Sequence, residues 1–274
     1  MTFADLTIAA GTGANASDSI IRVKATGEFL AIVKNQTTLK STDFVSSGAS
    51  PTPSPSPQVL TSVNSGNSAT FTGTDTEASI IAKNAPSVKS GTTSFYVGYE
   101  QVSGTNQDPR LIRFDNGSTT WFAKNYEVTG DDSRGYGLLW DGANNLYGVF
   151  SAVGAQGTPD QDFRRFATKG WLTSYGQGGG PRVSIVAKID PVTGNVINAT
   201  YLTSKLSNGN ANSLTVKSLA FNGQNVVVQA DAFFSPLKTD RTPFTCNGTS
   251  PFNYSIELTP DLGTAVSATA DQCT

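Results

Sequence analysis

Apolar and polar residues alternate with a period of two in LIRF (111–114), VSIVAKI (183–189), NVVVQA (225–230) and YSIEL (254–258). That pattern predicts strands that turn one face inward. The runs are separated by DNGS (115–118), DGANN (141–145), DPVTGN (190–195) and NGQN (222–225). Asn and Asp tolerate the left-handed backbone of tight hairpins, and Gly adopts it without steric cost. No long stretch carries a 3.6-residue period, so helix is expected to be minor. The predicted fold class is all-β.

Stacking these hairpins exposes an internal repeat. One type runs strand, Asp-containing turn, strand: LIRFDNGSTTWFAKNY (111–126), SIVAKIDPVTGNVINATYL (184–202) and SIELTPDLGTAVSATA (255–270). A second type comprises YGLLWDGANNLYGVFSA (136–152) and SLAFNGQNVVVQADAFF (218–234), with TTSFYVGYE (92–100) as a degenerate copy. The two types alternate, and the first type recurs about every seventy residues, longer than the ~40–50 residues of one propeller blade. Insertions would fill the difference.

The pair 184–202 and 136–152 resembles the bacterial β-propeller repeat of the SBBP type. That family alternates a strand ending in a K-x-D-P-x-G turn with a G-x-A-x-D-x-x-G-N-x-Y-V strand pair. The matching residues are Lys188, Asp190, Gly194, Asp141, Asn145 and Tyr147, whereas Arg113 or Glu257 replaces the lysine in the other copies. The resemblance covers about half of residues 90–270. It implies blades of four antiparallel strands around an axis.

SSGASPTPSPSPQ (46–58) alternates Pro with Ser and Thr, which favours an extended spacer that cannot join a sheet ladder. A linker is the preferred reading over a long loop inside one domain. It divides the chain into a short β module (1–45), a linker (46–58) and a propeller-like domain (59–274). The short module resembles segments that follow haemolysin-type calcium-binding repeats in secreted cyanobacterial proteins, on Asp5 and the residues to 8, Asp18 to 21, 30–33 and 41–44. The calcium-binding nonapeptide itself is absent, so the resemblance implies secretion rather than a calcium site there.

Composition narrows the chemistry. The chain has 274 residues, no histidine, a net charge of -2 and 15% charged residues. That is well below the ~25% of ordinary domains. Without histidine there is no Ser-His-Asp triad, His-ligated zinc or His general base. The weak, slightly acidic charge argues against nucleic acid as a partner. No apolar run approaches the ~18 residues of a membrane span, and MTFADLTIAA lacks the features of a signal peptide. Cys246 and Cys273, the two cysteines, are expected to form a disulfide in an oxidising compartment.

Catalytic motifs are sparse. There is no G-x-S-x-G elbow, and GQGGGP (176–181) lacks the end of a phosphate loop. Asp131 and Asp132 stand together, but adjacent side chains on an extended segment point apart, so they read as a turn near Arg134. Asp115, Asp141, Asp190 and Asp261 fall at equivalent turn positions and read as turn chemistry; a calcium ion on one such turn is the cofactor this pattern allows. The segment 162–182, DFRRFATKGWLTSYGQGGGPR, concentrates Arg164, Arg165, Trp171, Tyr175 and Arg182 in a chain poor in charge. It is either a loop tucked over the sheet with its aromatics buried or a binding loop for a glycan or protein partner.

The leading functional expectation is a non-enzymatic extracellular or cell-surface β protein, structural or adhesive, binding a glycan, a partner or another copy of itself. The alternatives are a carbohydrate-active propeller enzyme using two carboxylates and a virion structural component.

Overall fold

A computed structural model describes residues 5–39, 60–64, 66–153, 157–177 and 182–274. The chain divides into two compact units, Met1–Ser56 and Pro57–Thr274. The Pro/Ser stretch at 46–58 and the 41–44 segment lie outside the described residues.

The first unit holds a three-stranded antiparallel sheet of β1 (Leu6–Ala10), β2 (Ser19–Val23) and β3 (Phe29–Val33). Its Asp18 is buried, accepting hydrogen bonds from the Lys34 ammonium and the Asn35 N–H, both at 2.9 Å.

The second unit runs β4 (Leu60–Val63), β5 (Ala69–Thr70), α1 (Glu77–Ala82), β6 (Ser87–Ser90), β7 (Thr93–Ser103), β8 (Asn106–Asp115), β9 (Ser118–Ala123), β10 (Ser133–Trp140) and β11 (Leu146–Val153). It continues through β12 (Arg182–Ile189), β13 (Val196–Leu202), β14 (Ser204–Lys205), β15 (Ala211–Asn212), β16 (Leu214–Asn222), β17 (Asn225–Ala232), β18 (Phe252–Leu258) and β19 (Ala265–Ala270). All five full-length hairpins expected from the turns are antiparallel pairs: β8–β9, β10–β11, β12–β13, β16–β17 and β18–β19.

The hairpins assemble into three main sheets. The middle sheet is ordered β4-β10-β11-β12-β13, the C-terminal sheet β16-β17-β18-β19, and the N-terminal sheet β5-β7-β8-β9 with β6 also on β7. The middle and C-terminal sheets each join a hairpin of the second type to one of the first. The roughly seventy-residue repeat is therefore a whole sheet.

The sheets are stacked face on face. Leu139, Tyr147, Val149 and Val186 of the middle sheet pack with Leu219, Val228, Tyr254 and Ile256 of the C-terminal sheet. From its opposite face, Leu138, Trp140, Phe150 and Ile185 pack with Phe95, Val97 and Leu111 of the N-terminal sheet. The middle sheet is thus buried on both sides, which is why its strands read as apolar runs such as GLLW (137–140). The outer face of the N-terminal sheet is closed by Ile80 of α1 against Tyr96, Ile112 and Phe114. No closed propeller is found among the described residues; three sheets cannot bring the last face back onto the first when each outer sheet is capped or solvated.

Two close approaches tie the 157–177 insertion into this stack. Gly170 lies so near Ala199 that a Cβ there would come within 2.1 Å of its carbonyl oxygen. The Trp171 N–H, in turn, donates to the Leu262 carbonyl at 2.7 Å. Cys246 and Cys273 form a disulfide.

Candidate functional site

The repeated turn aspartates are occupied by their own turns. Asp141 accepts from the Ala143 and Asn145 N–H groups, Asp190 from the Val192 N–H and Thr193 hydroxyl, and Asp261 from the Gly263 N–H and Thr259 hydroxyl. Asp115 is held by Thr93, Thr120 and Arg113. These bonds shape the hairpins and leave the carboxylates engaged.

The five side chains singled out in 162–182 do not form one surface. Trp171 is 2% exposed, packs in the core between the middle and C-terminal sheets, and donates its indole N–H to the Thr239 carbonyl at 2.9 Å. Tyr175 is 3% exposed and packs on Tyr201 with ring centroids 5.6 Å apart. Arg164 is paired with Asp162 at 2.8 Å, and that hydrogen bond holds its guanidinium above the usual range. Arg182 stacks over the Tyr136 ring at 3.8 Å, and burial lowers its pKa. Neither buried ring offers a face to a sugar. Phe163, fully buried, wedges against Phe150 at 5.0 Å and Tyr126 at 6.2 Å, and draws the insertion inward.

Arg165 alone of the five lines an open groove of about 600 Å3. One wall is the segment after β9, with Phe122, Lys124, Asn125 and Tyr126. The other walls are the β12–β13 turn, with Thr193, Gly194 and Asn195, and the insertion, with Arg165 and Phe166. Hydrogen bonds lock the walls together. The Tyr126 hydroxyl donates to the Gly194 carbonyl at 2.7 Å, the Trp121 indole to the Pro191 carbonyl at 3.1 Å, and Arg165 to the Asp160 carbonyl at 2.7 Å and to the Asn125 carbonyl. Gly194 sits at φ 75° with the Trp121 ring where a Cβ would stand. Two cations, three aromatic rings and several amide or hydroxyl groups face the groove, and none of its lining residues is acidic. Sequence reasoning reached only the insertion's share of this groove, Arg165 and Phe166, because the other two walls come from segments about seventy residues apart.

A second, much smaller cavity is lined by Glu127, Thr129, Asp131, Asp132, Asp162, Tyr175 and Tyr201. Its volume is about 10 Å3, room for about one water molecule. Glu127 is 2% exposed; burial pushes its carboxyl up to about 7, against hydrogen bonds from Thr129, with Asp108 and Asp162 adding to the rise. Burial and neighbouring Asp132 also raise Asp131. Arg134, expected beside this pair, is turned instead to the Tyr99 ring at 4.7 Å and to Gln107. Among the described residues no group of three or more His, Cys, Asp or Glu is assembled as a metal site.

No known protein-family model matches the chain, and no curated protein is similar to it. The likenesses to the SBBP-type repeat and to the secreted modules therefore have no family match behind them. What stands is a β-rich protein of several antiparallel sheets with one disulfide, of a kind formed in oxidising compartments. Among the described residues no helix is long and apolar enough to cross a membrane.

Proposed function

We propose that the chain is a non-enzymatic extracellular or cell-surface binding module whose groove beside Tyr126 takes an acidic glycan. The observation that carries this reading is the lining of the groove: Lys124 and Arg165 with Phe122 and Phe166, and no carboxylate. Aromatic rings cover the apolar face of a sugar, a planar guanidinium grips a carboxylate or sulfate, and amides bind hydroxyls. In this reading the three stacked sheets are blade-like repeats that hold the loops in place.

Two arguments weigh against the carbohydrate-active alternative. A glycosidase needs two carboxylates flanking a sugar, and the groove has none. The acidic cavity, at about 10 Å3, is too small for a monosaccharide. Nothing in the groove favours the virion alternative over the adhesive one.

The test is an array of uronic-acid, sialylated and sulfated saccharides probed with the wild type and with Lys124→Ala and Arg165→Lys variants. Binding to acidic members that falls at least about tenfold in both variants supports the proposal; a tenfold loss is about 1.4 kcal/mol, ordinary for one charged contact. A wild type that binds no acidic saccharide, or variants that bind as well as it does, would falsify it.

A further inference from the structure

Five buried acceptor oxygens lie between residues 106 and 132 with no hydrogen-bond donor: Asn106 Oδ1, Asp108 Oδ1, Glu127 Oε2, Asp131 Oδ2 and Asp132 Oδ1. Asp162, on the same cavity, is by contrast satisfied by Arg164. A buried acceptor without a donor bears the desolvation cost of its group with nothing in return. A carboxylate in that position calls for a positive partner. No Lys or Arg lines the cavity that Glu127, Asp131 and Asp132 share.

We propose that this cavity is a binding site for one hard divalent cation of the Ca2+ class, with Glu127 as its buried ligand and Asp131 as its second carboxylate. The donor set selects the ion class. The chain has no histidine and both cysteines are in the disulfide, so only oxygen ligands are on offer. Two of the carboxylates that line the cavity balance a divalent charge, and neutral chain oxygens such as those of Thr129 complete the set. Irregular loop oxygens suit Ca2+, which accepts variable geometry, better than Mg2+, which demands a near-ideal octahedron.

The cation would tie the loop after β9 to the insertion, since Glu127 follows Tyr126 and the cavity also touches Asp162 and Phe163. The site stands on these residues alone and does not depend on what the groove binds.

The experiment uses the full chain, stripped with chelator, and Tb3+ as a luminescent Ca2+ substitute that the cavity's Tyr175 and Tyr201 can sensitise. The expected result is emission that saturates at one equivalent, is displaced by Ca2+ and far less by Mg2+. Affinity should drop at least about tenfold in Glu127→Gln and in Asp131→Asn. Ca2+ should also raise the melting temperature of the wild type above its value in chelator. Asp131 is only half-buried, so Asp131→Asn carries the test if the Glu127 variant fails to fold. No saturable binding, or equal binding in both folded variants, overturns the proposal. So does a wild type whose melting is indifferent to Ca2+ but rises on acidification, because protons would then be filling the site.

Discussion

The Tyr126 hydroxyl and the Gly194 carbonyl, 68 residues apart, meet in a buried 2.7 Å hydrogen bond that joins two walls of the groove. Tyr126→Phe keeps the ring against Phe150 but leaves that carbonyl without its donor. The expected cost is about 1–2 kcal/mol in urea denaturation, with the fold retained. An unchanged midpoint would show that the bond contributes nothing to holding the walls.

Trp171 is a stability probe rather than a surface contact. Trp171→Ala removes a ring from the core between two sheets and should destabilise by about 3–5 kcal/mol. Trp171→Phe should cost less, because it loses mainly the indole bond to Thr239. Equilibrium denaturation of both variants orders the two effects.

The disulfide closes a 27-residue separation between Cys246 and Cys273. On the loop-entropy account this is worth about 3–4 kcal/mol. Backbone bonds between Thr245 and Thr274 lie beside it and should persist in the folded, reduced protein. Denaturation with and without reductant should show the difference, and a Cys246→Ala, Cys273→Ala double variant should match the reduced wild type.

Asp75 sets part of the acid limit. Burial alone would raise its carboxyl, but hydrogen bonds from Lys83, the Thr72 N–H and the Ser79 hydroxyl outweigh this and hold it at about 2, below the ordinary 3.8. Between those values the unfolded chain binds the proton more readily, so stability rises with pH across the window. The contribution is full above about pH 4 and is lost as pH falls toward 2. Asp75→Asn should lower stability at neutral pH and flatten the acid limb between pH 4 and 2. A limb as steep as that of the wild type would assign the effect to other carboxylates, with Asp115, also held at about 2, the first to examine.

Hairpins and their turns were legible along the chain because both arise locally. Alternation places one face inward, and an Asp at the turn binds N–H groups two to four residues on, as Asp141 and Asp190 do. The disulfide was legible too, since only one pairing exists. Whether a ring closes, which rings of the insertion stay outside, and where charge collects depend on packing between distant segments. The apolar run GLLW (137–140) is the local trace of a strand covered on both faces, but nothing local names the two sheets that cover it. Composition likewise could not say that Trp171 and Tyr175 point inward, because burial depends on what Phe163 and Gly170 are pressed against. The groove joins 122–126 to 193–196 and 165–166, and the acidic cavity gathers Glu127, Asp131 and Asp162. Turn chemistry and strand period belong to the sequence itself; the meeting of these side chains was decided only when the sheets stacked and expelled water from between them.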